Sequence, residues 1–243
     1  MSRGAFRVGT SGYQYRHWRG AFYPRKLAKK DWFAHYAGRF DTVEINNTFY
    51  NLPAPETFDA WRAAAPAGFV YALKFSRYGS HIKRLKDPGN TVTRFLERAD
   101  RLGDALGPIL VQLPGNWRPD IARLRDFLAA LPAGRRWAFE FRDPRWHTDA
   151  VLDLLAAHDA ALCEHDMGDE RPPPSPATWR YLRFHGDHYQ GSYSPQYLGA
   201  RARVIRRDLA AGRDVYAFFN NDADGHAPAD AQRLRRYVTA ARG

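Results

Sequence analysis

The chain has 243 residues, and its 37 Lys and Arg against 26 Asp and Glu leave a net charge of +11, an excess that attracts anions from small substrates to nucleic acid. Cys163 is the only cysteine, which excludes an internal disulfide, and no run approaches the ~18 apolar residues of a membrane-spanning helix. The N-terminal MSRGAFRVGTSG lacks the apolar stretch of a signal peptide, so the expectation is a cytoplasmic protein that makes no membrane contact.

In chain order, short apolar runs of strand length alternate with longer segments that carry apolar residues at helical spacing. Strands are predicted at 6–10 and 42–46, then a helix at 55–65, a strand at 70–75, a helix at 91–102 and a strand at 109–113. A helix at 121–131, a strand at 137–142, a helix at 150–158 and a strand at 161–164 follow. The segment 168–177 holds four prolines and reads as a surface loop that replaces or shortens the sixth helix. A strand at 179–185, a helix at 195–211, a strand at 215–220 and a helix at 229–240 complete the chain. Eight strands alternating with helices predict an α/β fold, a single (β/α)₈ TIM barrel in which residues 1–243 form one domain.

Successive side chains of a strand point to opposite faces. Val43 and Ile45 therefore oppose Thr42, Glu44 and Asn46, while Tyr71, Leu73 and Phe75 oppose Val70, Ala72 and Lys74. Trp137, Phe139 and Phe141 oppose Ala138, Glu140 and Arg142, and Leu182 and Phe184 oppose Tyr181, Arg183 and His185. Four strands thus share one design, with an apolar series for the helices and an inward series that ends in charge; Gln112 ends 109–113 similarly. The phases of 6–10, 161–164 and 215–220 stay open. An ion taken out of water costs several kcal/mol and needs a partner or solvent, so these charges belong at the carboxyl ends of the strands, where (β/α)₈ enzymes place their sites. Glu44, Lys74, Glu140, Arg142, Arg183 and His185 are expected to converge there, with a small excess of positive charge that an anionic ligand completes.

The motifs GTSGYQYRHW at 9–18, VEINNTFY at 43–50, ALKFSRYGSHIKRL around Lys74, Arg77 and His81, and VQLPGNW around Gln112 occur in that order. FEFRDPRW around Glu140 and Arg142, YLRFHGDHYQGSY around Arg183 and His185, and FFNND at 218–222 continue it. Over nearly its whole length the chain resembles the YecE-like family, a domain of unknown function. The resemblance implies a TIM barrel and supplies no reaction, cofactor or residue role. Ser80, Gly115, Asp143 and Arg145 depart from the residues more common in that family, which bears on loop detail more than on fold.

The chemistry is read from the residues themselves. Glu44 and Glu140, on separate strands, can divide acid and base roles, glycoside hydrolysis being one use, or can simply neutralise nearby cations. Lys74 is a candidate Schiff-base amine if desolvation lowers its pKa, against which neighbouring carboxylates act. Glu44, Lys74, Glu140 and His185 are the candidate catalytic groups. Arg142 and Arg183 suit two-pronged recognition of phosphate or carboxylate, and Ser11, Tyr13, Asn46, Arg77, His81, Gln112, Asn220 and Asn221 complete the candidate binding set. Glu44, Glu140, Asp166, His185 and His165 are available metal ligands, but the cations among them oppose a divalent ion, so no metal is expected, and no cofactor is indicated.

Two functions stay open. One is an enzyme acting on a phosphorylated or carboxylated small molecule at the carboxyl face of the barrel. The other is a nucleic-acid-binding protein whose basic stretches 16–30, 77–86 and 201–213 contact phosphates while Tyr13, Tyr15, Trp18, Tyr78 and Tyr189 stack on bases. Trp18, Phe49, Tyr50, Trp146 and Tyr193 follow strand ends, and either wall a ring-bearing ligand or fill space beneath loops.

Overall fold

The computed structural model describes residues 3–168, 170–186 and 188–240. In chain order its elements are β1 Phe6–Thr10, α1 Trp32–Ala37, β2 Thr42–Ile45, α2 Asn47–Tyr50, α3 Pro55–Ala64, β3 Val70–Lys74, α4 Pro88–Ala99 and β4 Leu106–Leu113. There follow α5 Ile121–Ala129, β5 Trp137–Phe141, α6 Asp149–Ala157, β6 Ala161–His165, β7 Arg180–Phe184, α7 Pro195–Ala210, β8 Val215–Phe219 and α8 His226–Thr239. This is the strand–helix alternation of the (β/α)₈ class. Among the described residues no helix lies between β6 and β7, where the prolines deny a helix its amide donors, and no helix is long and apolar enough to cross a membrane.

The chain divides into two compact units, neither a continuous stretch of sequence. The first takes the described residues up to Val43, those of His165–Arg171 and those from Trp179 onward; the second takes Glu44–Glu164 and Pro172–Thr178. In the first, β8 runs parallel between β1 and β7, with Phe218 opposite both Gly9 and Arg183. Phe219 stacks on Phe184 at 4.5 Å while Phe218 meets Tyr181 at 5.1 Å. These contacts settle the phase of β8, which the sequence left open.

In the second unit β3, β4, β5 and β6 lie side by side and parallel, pairing Lys74 with Leu110, Gln112 with Glu140 and Ala138 with Ala161. The apolar series of these strands packs as expected. Phe75 meets Phe95, Phe127 and Trp137 edge to face, and Phe141 stacks flat on Trp146 at 5.0 Å. On β6, the Ser175 hydroxyl accepts the Leu162 N–H at 3.1 Å and the Glu164 carboxylate accepts the Ser175 N–H at 3.3 Å. The proline-rich segment is thereby pinned along one side of β6, and Cys163 is left on the Glu140 side.

Differences from the sequence expectation have local causes. Strand β4 begins at Leu106 instead of 109, because Gly107, whose Cβ would lie 3.0 Å from the Tyr71 carbonyl, admits a close approach where the register shifts. Helix α4 begins at Pro88, a ring that pre-sets the first helical turn. Helices α1 and α2 have 6 and 4 residues, too few to show a period.

Gly9 shows how tightly the first unit is built. A Cβ there would lie 2.1 Å from the Thr42 carbonyl oxygen and 2.8 Å from the Tyr36 hydroxyl. That hydroxyl accepts the Thr10 N–H at 2.9 Å and donates to the Thr42 carbonyl at 3.0 Å. Gly9→Ala should therefore lower the unfolding free energy by about 2 kcal/mol or more, in line with the cost of overpacking a close-packed site. Chemical denaturation followed by circular dichroism measures it, and a loss below about 0.5 kcal/mol, the range of ordinary surface substitutions, contradicts this reading.

Candidate functional site

In the second unit, polar side chains stand at the carboxyl ends of consecutive strands: Glu44 in β2, Lys74 closing β3, Gln112 in β4, Glu140 in β5 and Arg142 just beyond. Glu44 and Glu140 are wholly buried and Lys74 nearly so. A buried carboxylate needs a cation and hydrogen bonds. Arg142, two residues along the same strand and hence on the same side, pairs its Nε with Glu140 Oε1. Its Nη2 also donates, at a long 3.4 Å, to the Gln112 side-chain oxygen. The Cys163 sulfur lies 4.0 Å from the other Glu140 oxygen.

Lys74 is held from two directions. Its carbonyl accepts the Thr48 hydroxyl at 2.7 Å, and its ammonium sits 4.2 Å from the centre of the Phe49 ring, a cation–π contact supplied by α2. The Phe49 ring in turn meets the His81 imidazole edge to face at 4.9 Å.

His81 lies in Tyr78–Ile82, a single π-helical turn in which the Lys83 N–H reaches back to the Tyr78 carbonyl at 2.8 Å. Such turns occur frequently at functional sites. Gly79 makes this one possible, since a Cβ there would lie 2.4 Å from the Phe75 ring. Directly after it, Arg84, Leu85 and Asp87 take positive φ of 48°, 63° and 52°, conformations that cost non-glycine residues ~1–3 kcal/mol each.

The tautomer of His81 follows from its neighbour. The Ser80 hydroxyl donates to the Ser76 carbonyl at 2.9 Å and lies 3.0 Å from His81 Nδ1. A hydroxyl has one hydrogen, so with it committed to Ser76 the imidazole proton sits on Nδ1 and Nε2 keeps its lone pair. Burial, and then the charges of Lys74, Arg77, Arg142 and Arg84, hold the imidazole well below its ordinary 6.5, at about 4. At neutral pH His81 is an uncharged base facing four cations.

The first unit holds a separate polar network. His185, buried, gives its backbone N–H to Asp166 at 2.6 Å and places Nδ1 3.5 Å from the same oxygen. The other Asp166 oxygen accepts the Tyr193 hydroxyl, which itself accepts the Gly186 N–H at 2.5 Å. Burial pushes the Asp166 carboxyl up, but the bonds from His185 and Tyr193 outweigh it and the net shift is downward; burial and Asp166 together push the Tyr193 phenol far up. The His165 and His185 rings stand nearly perpendicular at 6.1 Å.

The candidate residues thus fall in two groups. Glu44, Asn46, Lys74, Arg77, His81, Gln112, Glu140 and Arg142 belong to the second unit, and Ser11, Tyr13, Arg183, His185, Asn220 and Asn221 to the first. Ser11 and Arg183 are buried, and the Tyr13 ring packs on Phe33 and Tyr36. The Asn220 N–H caps the Phe184 carbonyl at 2.7 Å, while buried Asn221 donates to the Gly191 carbonyl and to Asp230. Asn46 is half-buried, its side-chain oxygen without a hydrogen-bond partner among the described residues. Trp18 and Trp146 are fully buried beneath loops, whereas Tyr50 is 76% exposed. Sequence reasoning weighed Asp166 only as a metal ligand and Ser80 only as a departure from the family's usual residue, and gave neither a part in positioning His185 or His81. Among the described residues, no group of three or more His, Cys, Asp or Glu side chains is arranged to hold a metal ion.

The sequence pattern of the family described as "Protein of unknown function DUF72" matches residues 7–243. The UPF0759 protein YecE of Escherichia coli (strain K12) is 35% identical over 112 residues, 46% of this chain and 41% of that protein, so the match spans less than half of that relative. A DUF72 family protein from Thermotoga maritima superposes with a TM-score of 0.87 at 23% identity, covering 97% of this chain and 100% of that one. One from Enterococcus faecalis V583 does so with a TM-score of 0.81 at 18% identity, covering 98% and 97%. At these identities the likeness is one of fold, an α/β TIM barrel.

The depressed His81 pKa has a consequence for stability. Between the ordinary 6.5 and about 4 the unfolded chain takes up a proton that folded His81 refuses, so stability present above 6.5 is lost as pH falls through that window. His81→Gln cannot take up that proton in either state. Relative to wild type, the variant should gain unfolding free energy as pH drops from about 7 to about 4, as read by urea denaturation at both values; a difference independent of pH contradicts the assignment.

Proposed function

The chain belongs to the family described as protein of unknown function DUF72, and we propose that within its TIM-barrel fold it is an enzyme that binds a phosphorylated or carboxylated small molecule beside Lys74, Arg77 and Arg142 and moves a proton with His81. The observation that carries this reading is the placement of His81 against the Phe49 ring that also holds the Lys74 ammonium, where burial first, and then the charges of Lys74, Arg77, Arg142 and Arg84, keep the imidazole neutral. Those charges disfavour protonation of His81, and a bound anion offsets that part of the effect.

The chemistry follows from that relief. With an anion in place, part of the field on His81 is cancelled, its pKa rises toward neutrality, and Nε2 becomes a better base when substrate is present. Nε2 then takes a proton from a C–H or O–H of the bound molecule, while Ser80, accepting from Nδ1–H, keeps the ring oriented. Glu140 pairs with Arg142 through Nε, so its part is to aim the guanidinium. Lys74, fixed over Phe49, supplies a point charge. His81 Nε2, once protonated, returns the proton to the bound molecule.

Phosphate, sugar phosphates and di- or tricarboxylic acids should therefore raise the melting temperature, by about 3–6 °C at ten times Kd. Arg77→Gln, a change at an exposed residue, should remove most of that shift. The best-binding compound, incubated in D₂O, should exchange a carbon-bound proton with wild type and not with His81→Gln. Stabilisation by no anion, or equal stabilisation of wild type and Arg77→Gln, defeats the reading.

A further inference from the structure

The second unit contains a cleft of about 320 Å³, lined in part by Phe49, that the proton-transfer reading does not use. Tyr50 and Tyr78 stand at its rim, 76% and 46% exposed, an unusual placement for two large rings. Asn51, Ser76, Asn90 and Arg94 supply its polar atoms, and no Asp or Glu is among its lining residues. A lining without carboxylates disfavours amines and favours a ligand with hydrogen-bonding edges and negative charge.

The surroundings strengthen the charge argument. Asn90, Thr91 and Arg94 occupy the first turns of α4, where the Asp87 carboxylate accepts the Asn90 side-chain N–H at 3.2 Å and the Asp87 carbonyl accepts the Thr91 hydroxyl, which leaves Arg94 as the cation of the cleft. The loop that contributes Tyr78 continues through Arg77, Lys83, Arg84 and Lys86, and the Lys83 ammonium lies 5.5 Å from the Tyr78 ring centre. The left-handed backbone at Arg84, Leu85 and Asp87 and the π-turn before it hold this basic loop in a conformation that side chains other than glycine seldom adopt. The volume lies at the lower end of ligand pockets, ~300–1,000 Å³, which suits one nucleotide unit or less.

We propose that this cleft is a second binding site, for a nucleotide whose base stacks on Tyr50 and Tyr78 and whose phosphate is held by Arg94 at the start of α4. The nucleotide can be free or part of a single strand, since both offer one base and one phosphate to the same groups. Calorimetric titration of the full chain with AMP, UMP, adenosine, inorganic phosphate and a ten-residue single strand separates these. AMP or the strand should bind; in Arg77→Gln, where the anion site beside Lys74 is weakened, adenosine and phosphate should each bind at least about tenfold more weakly than AMP; and Tyr50→Ala and Arg94→Gln should each cost about tenfold, the scale of one stacking ring.

Both substitutions are at exposed positions and leave the core intact. Tight binding by the strand alone, with the same sensitivity to Tyr50→Ala, assigns the nucleotide to nucleic acid and supports the site. The proposal is overturned if neither AMP nor the strand binds, if phosphate binds the Arg77→Gln variant as well as AMP does, or if binding survives Tyr50→Ala and is abolished by Arg77→Gln, which would place the nucleotide at the Lys74 cluster instead.

Discussion

A carboxylate with no access to water, at the end of a strand, must have a cation within reach, and the second unit is arranged around that requirement at Glu140. Alternation along β5 puts Arg142 on the same side two residues later, and the ion pair forms with no long-range contact needed to aim it. The parallel register then brings Gln112 to Glu140, and the Cys163 sulfur fills the remaining side. Once Arg142 is fixed in this way, its charge reaches His81, and so do those of Lys74, Arg77 and Arg84.

Burial of His81, and then the charges of Lys74, Arg77, Arg142 and Arg84, keep its imidazole neutral. The π-turn and the left-handed residues that follow it are what bring His81 and the basic loop to that place. The strained backbone of 78–87 thus carries His81 and Arg84, while Lys74, Arg77 and Arg142 reach the imidazole from outside it.

Much of this was legible in the sequence. The eight strands followed from the alternation of apolar runs, and the two faces of four of them, with Glu140 and Arg142 on one face, from a period of two. The four prolines of 168–177 pointed to the connection between β6 and β7 that holds no helix among the described residues. What the sequence hid is of two kinds. Short elements such as α2 and the π-turn have no measurable period, so the aim of Phe49 and His81 was invisible. Contacts set by tertiary placement, such as Ser80 to His81 or Asp166 to His185 and Tyr193, need coordinates because nothing in their spacing distinguishes them from loop residues. His81 accordingly stood among the binding residues, and its burial and surrounding charges became visible only in the structure.

That control can be measured directly. The His81 ring-proton chemical shift, followed by NMR through an acid titration with and without saturating inorganic phosphate, reports its pKa in each condition. The account predicts a value near 4 without the anion and a clear rise, of about one unit or more, when phosphate neutralises the neighbouring cations. A value near 6.5 without anion, or one that phosphate leaves unmoved, contradicts it.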